Sequence, residues 1–228
     1  MDLGADNYGL DGYFGASRFK YYRKNTRGAN ALMFGGLLQA TGDCSGYTPG
    51  GGHGAPSRSA TFLGTFSSLS GGAAPAPAGH ALAPCALRAG EQACATVDLS
   101  PAYAPPAAGG AAAVARRLAL RASGSLRVDD SWAFGAAAAA RPPTVTAAFH
   151  TLAGVAIAPD GQSAALTLGG VGATLTLLPG GCAGAHFIST PVRLAPPQDP
   201  SHGLTRVDAV APAPGAACTG WAVELALN

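Results

Sequence analysis

Residues 144–181 read TVTAAFHTLAGVAIAPDGQSAALTLGGVGATLTLLPGG. Four short runs rich in apolar and β-branched residues occupy 144–151, 154–158, 164–168 and 173–178. Pro159-Asp160-Gly161, Gly169-Gly170 and Pro179-Gly180-Gly181 punctuate them. Strand-sized runs separated only by turn residues leave no room for crossover helices, so neighbouring strands run antiparallel. Working outward, the same short runs recur at 92–99, where Ala93, Ala95 and Val97 alternate, and at 114–121, 125–130, 185–189 and 221–227. Repetition at roughly ten-residue intervals predicts an all-β fold, an antiparallel β-sandwich. The rival is helix at 136–140, a run of alanines. That run is short, lacks an apolar face of large side chains and lies beside Pro142-Pro143, so it reads as loop.

The chain has 228 residues, and its length and patterning fit a single sandwich domain over 1–228. Aromatic residues make up 7% and charged residues 11%, so the core is modest and much of the alanine lies outside it. Low-complexity Ala/Gly/Pro/Ser inserts near 41–60, 71–83 and 101–113 read as long loops. A net charge of +2 is too small to mark a nucleic-acid protein, and no uninterrupted apolar run suits a membrane helix. The acidic N-terminus does not read as a signal peptide, and a strand-like segment starts almost at residue 1, as in a chain cut within a larger protein. Five cysteines occur with no CxxC pair. Cys85 with Cys94 and Cys182 with Cys218 fit disulfides between neighbouring strands, and fit free semi-buried thiols equally well.

Residues 18–27, RFKYYRKNTR, hold five of the fourteen basic residues and two of the six tyrosines. Cations interleaved with rings suit an acidic polymer, pairing with its anions and stacking on its faces. Read as a strand, the stretch places Arg18, Lys20, Tyr22 and Lys24 on one face and Phe19, Tyr21 and Arg23 on the other.

The segment 2–36, DLGADNYGLDGYFGASRFKYYRKNTRGANALMFGG, resembles the start of the β-sheet domain of the heparinase II/III family of polysaccharide lyases. The resemblance rests on Asp2-Leu3-Gly4, Tyr8, Tyr13-Phe14, Arg18, Tyr21-Tyr22-Arg23 and Gly28-Ala29-Asn30. Weaker echoes follow at Val97-Asp98-Leu99, at Arg116-Arg117 with Val128-Asp129-Asp130, and at Phe149-His150-Thr151. It implies β-elimination on uronate-containing glycans, in which a base removes the proton beside the carboxylate and an acid protonates the departing glycosidic oxygen. It implies Tyr13 and His150 as catalytic candidates, and Arg18, Lys20, Tyr22, Arg23 and Asn30 as contacts to an acidic polysaccharide. The family's N-terminal helical toroid is absent from this sequence, so the isolated chain is expected to be inactive and the toroid becomes a possible partner. The family also implies a secreted, periplasmic or secretory-pathway location. Its zinc site would use Asp2, but Ala29 stands where the family has a histidine, so no metal or other cofactor is expected. The other reading is a stand-alone module that binds anionic carbohydrate or serves as structure. Neither a phosphate loop nor a nucleophile elbow is present, since PGGGHG at 49–54 lacks the Lys-Ser/Thr that follows in a phosphate loop.

Overall fold

The computed structural model describes residues 3, 7–14, 16–38, 85–103, 110–198, 200, 202–212 and 218–228. Eleven strands are seen among them: β1 (Leu32–Phe34), β2 (Glu91–Asp98), β3 (Ala111–Arg121), β4 (Leu126–Phe134), β5 (Val145–Thr151), β6 (Gly154–Ile157), β7 (Ser163–Leu168), β8 (Val171–Leu177), β9 (His186–Pro191), β10 (Thr205–Ala211) and β11 (Gly220–Leu227). Single helical turns, α1 (Ser100–Tyr103) and α2 (Ala136–Ala139), interrupt them. No helix among the described residues is long and apolar enough to cross a membrane.

The strands form two antiparallel sheets, β1-β5-β10-β9 and β2-β3-β4-β11-β8-β7-β6. The turn chemistry explains much of this order. Gly169 and Gly170 take φ of 57° and 84°, the left-handed pair that a two-residue hairpin needs, and Leu168 faces Val171 across it. The C-terminal strand β11 slots between β4 and β8 and so closes the larger sheet.

Period-2 alternation turns one face of each sheet inward. Leu32, Phe34, Val145, Ala147, Phe187, Val207 and Ala209 meet Val114, Trp132, Leu175, Leu177, Trp221 and Val223 in one core. Phe34 stacks edge-on against Tyr103, Trp132 and Phe134. The two sheets thus pack as the predicted sandwich.

Three local expectations change. Residues 136–139 form a helical turn after all, because even beside Pro142-Pro143 alanine needs only one turn's bonds, with Ala139 N–H donating to Gly135 O at 2.8 Å. The loop expected over 101–113 is shorter. Tyr103 ends α1, is fully buried and donates its hydroxyl to Leu32 O at 2.8 Å, and β3 already begins at Ala111. Cys85 bonds Cys94, and Cys182 bonds Cys218. The inserts near 41–60 and 71–83, Cys44 and Asp2 lie outside the described residues.

Candidate functional site

The outward face of the smaller sheet presents His150 on β5 and Arg206 with Asp208 on β10. His150 and Arg206 are register partners. Residues 16–30 lie over this face, and here the strand reading is overturned. The stretch forms three short 3-10 turns, Ala16–Lys20, Tyr22–Lys24 and Thr26–Gly28. Tyr21 N–H donates to Arg18 O at 3.1 Å, Lys24 N–H to Tyr21 O at 3.0 Å and Gly28 N–H to Asn25 O at 3.2 Å. These local bonds take the place of a sheet ladder. The Asn25 side chain caps the third turn by accepting from Arg27 N–H at 2.9 Å, a job a short polar side chain does well. Gly28 completes the coil. A Cβ there would overlap the Tyr22 carbonyl oxygen, so the chain folds back this tightly only because residue 28 has none.

The coil scatters the expected row of cations. The Lys20 ammonium pairs with Asp11 at 3.0 Å, the Arg18 guanidinium stacks on Phe19 and the Lys24 ammonium sits over Tyr13. Arg23 donates to Leu3 O at 2.8 Å and to Pro200 O at 3.2 Å, and so stitches two distant segments together. Tyr13 packs with Leu10 and Tyr21 in a small separate core. The tyrosine that reaches His150 is Tyr22.

Tyr22, Asn30 and His150, three residues singled out in the sequence, do come together. The Tyr22 hydroxyl lies 3.0 Å from His150 Nε2. Asn30 Oδ1 accepts the His150 backbone N–H at 2.9 Å, which fixes that atom as the amide oxygen, and lies 3.1 Å from His150 Nδ1. An amide oxygen can only accept, so Nδ1 carries the ring proton and Nε2 accepts from the Tyr22 hydroxyl. This is a one-directional chain from phenol to imidazole to amide. Gln198 Oε1 holds it from behind by accepting Tyr22 N–H at 2.7 Å.

Burial, then the positive charge of Arg206, pushes the His150 imidazolium down to about pKa 4. His150 is only 3% exposed and is neutral at pH 7. Burial also pushes the Tyr22 phenol up, against the pull of Arg206, whose guanidinium bonds it. Arg206 pairs in turn with Asp208 at 2.7 Å, and burial raises Asp208 against that pull. The result is a neutral phenol and a neutral imidazole beside the Arg206–Asp208 pair. Arg206 and Asp208 escaped the sequence reading. The signal was the alternation of Arg206, Asp208 and Val210 with Val207, Ala209 and Ala211, bounded by Gly203 and Pro212.

No protein-family model matches this chain. No curated protein matches it in sequence either. Ala29 ends the third 3-10 turn by donating its N–H to Thr26 O at 3.2 Å.

Gly28→Ala should cost about 2 kcal/mol, as an overpacked backbone contact does. The expected sign is a lowered denaturation midpoint together with a shifted His150 imidazole resonance. An unchanged imidazole resonance would mean that the coil does not hold Tyr22 in place.

Proposed function

We propose that this chain is the β-sandwich portion of a polysaccharide lyase acting by β-elimination on acidic, uronate-containing glycans. The observation that carries the reading is the Tyr22–His150–Asn30 chain beside Arg206. It supplies the two things the reaction asks of a surface. A cation offsets the uronate carboxylate and so acidifies the neighbouring C5 proton. A phenol that burial keeps neutral, with its hydroxyl oriented by His150 Nε2, can give its proton to the departing glycosidic oxygen as it takes the C5 proton. In the reaction the Tyr22 oxygen takes the C5 proton, the C5–H electron pair becomes the C4=C5 double bond, and the C4–O bond releases its electron pair to an oxygen that takes up the phenol's own proton, so Tyr22 ends as it began. Tyr22 is the group a substrate meets. His150 lies beneath it and acts as a positioning residue.

The same burial of His150 also favours a second reading, a module that holds the glycan without transforming it. Affinity electrophoresis through gels containing alginate, hyaluronan or heparan sulfate tests what the two share. Retardation that fades with added salt is expected, and Tyr22→Phe should weaken it roughly fivefold by removing one hydroxyl contact. Release of unsaturated uronate, read by its ultraviolet absorbance, selects the lyase reading. Passage through every acidic gel at the rate of an uncharged one sinks both.

A further inference from the structure

The outer face of the larger sheet, a different surface from the one carrying Tyr22, holds a cleft of about 480 Å³. That size suits one sugar-acid ring. Three glycines shape its wall. A Cβ on Gly220 would lie 2.5 Å from Asp130 O, one on Gly181 would lie 3.1 Å from Trp221 Cβ, and Gly180 has φ of 90°. At Gly220 and Gly181 the main chain packs too closely on Asp130 O and Trp221 to admit a side chain easily, whereas a Cβ on Gly180 would meet nothing within 4 Å. Thr96, Ser131 and Thr219 contribute to the lining, and Arg88, Arg117, Arg127 and Asp129 supply the charge.

The arginines are not equivalent. Arg117 forks onto Glu91, with Nη1 at 2.8 Å, and Arg127 forks onto Asp129, with Nη2 at 2.6 Å and Nε at 2.9 Å. Arg116, beneath them, forks onto Asp130. Glu224, the register partner of Arg127, accepts from Ser125 and is not part of the lining. Arg88 is the surplus cation. Its approach to Asp129, 3.6 Å, is too long for a hydrogen bond, and its side chain is 57% exposed. Yet its backbone is fixed. Cys85 is bonded to Cys94 on β2, Ala86 O accepts from Arg117 at 3.0 Å, and Arg88 N–H donates to Glu91 at 2.7 Å. A half-exposed guanidinium is thus held on a strap over a hydroxyl-lined cleft, while its neighbours are already bonded in pairs.

We propose that this cleft binds the carboxylate of a small hydroxylated acid, such as a single uronic acid, with Arg88 as the bidentate anchor and the Cys85–Cys94 bridge as the device that positions it. A planar guanidinium matches a carboxylate in geometry and charge, and the three hydroxyls suit the sugar's own. The proposal does not depend on the Tyr22 site.

Titration of the whole chain with sodium glucuronate, followed by backbone amide NMR, tests it. Shifts should concentrate at Thr96, Ser131, Gly180 and Thr219, and glucose at equal concentration should give none. Arg88→Gln should weaken binding roughly tenfold. Replacing Cys85 and Cys94 together by alanine should weaken it several-fold while the remaining amide spectrum stays folded. Tyr22→Phe should leave these shifts unchanged, so failure here and failure at the Tyr22 face are separate results. Equal response to glucose, full affinity in Arg88→Gln, or shifts gathered around Tyr22 would each overturn the assignment.

Discussion

Asp130→Ala is expected to destabilise the sandwich by about 3–5 kcal/mol, the largest single-residue loss foreseen here. Asp130 is 2% exposed and sits on β4 among inward-facing residues. Three donors converge on it. Arg116 approaches with Nε at 2.6 Å and Nη2 at 2.9 Å, and Trp221 Nε1 donates at 3.2 Å. Arg116 also donates to Asn30 O, which ties the larger sheet to the segment that carries the Tyr22 site. Removing the carboxylate leaves a mostly buried guanidinium with only Asn30 O to accept from it, and takes the acceptor from the Trp221 indole N–H. The desolvation already incurred by the partners then goes uncompensated, and this dominates over the lost attraction itself. Replacing both partners, as in Arg116→Met with Asp130→Leu, removes the orphaned charge and should cost roughly half as much. Thermal melts would show the single variant about 10 °C below the parent, at the few degrees per kcal/mol usual for a chain of this size. A loss under about 1 kcal/mol would mean that Arg116 finds water or another acceptor.

How far the sequence carried can be judged from particular elements. The hairpin at Gly169-Gly170 was legible because two adjacent glycines at a strand junction admit few other geometries. The cross-sheet core was legible through period-2 alternation on β5, β8 and β11. β10 was passed over, although its polar-apolar alternation is as regular as that of β5. Its inward residues are only Val207, Ala209 and Ala211, so small that they barely register as a hydrophobic stripe. Residues 18–27 failed for another reason. Phe19, Tyr21 and Tyr22 have good strand propensity, but propensity is a weak prior when a neighbouring glycine permits a tight coil. The decisive residue was Gly28, whose meaning lies in its approach to Tyr22 and cannot be seen in spacing. The candidate site shows the same division. Tyr22, Asn30 and His150 were each visible as chemistry-bearing residues. Their convergence needed three separated segments to be brought together, and Arg206 and Asp208 entered only with β10.

Stability should fall as the pH drops from 7 to 5, and His150 should account for most of the loss. The sign follows from proton counts. In the unfolded chain this imidazole titrates near 6.5, whereas in the fold burial and Arg206 hold it to about 4. Between those values the unfolded state binds the extra proton, so acid favours unfolding. The contribution is fully present above pH 6.5 and is lost as the pH falls toward 4. Each pH unit inside that window is worth about 1.4 kcal/mol, so the whole window amounts to roughly 3 kcal/mol, and pH 5 takes away about 2. Two other groups act lower. Glu91, held down to about 2 by its bonds from Arg117, loses its contribution below its ordinary 4.5. Asp208 has the opposite sign, because burial raises it and the fold then takes up its proton more readily than the unfolded chain. His150→Gln preserves an acceptor for the Tyr22 hydroxyl and removes the titration. Urea denaturation of parent and variant at pH 7, 6 and 5 isolates the histidine, since Glu91 and Asp208 are common to both. The parent should lose about 2 kcal/mol that the variant keeps. Parallel lines for the two proteins would place the imidazolium comfortably within the fold, and would remove the neutral acceptor that orients the Tyr22 hydroxyl.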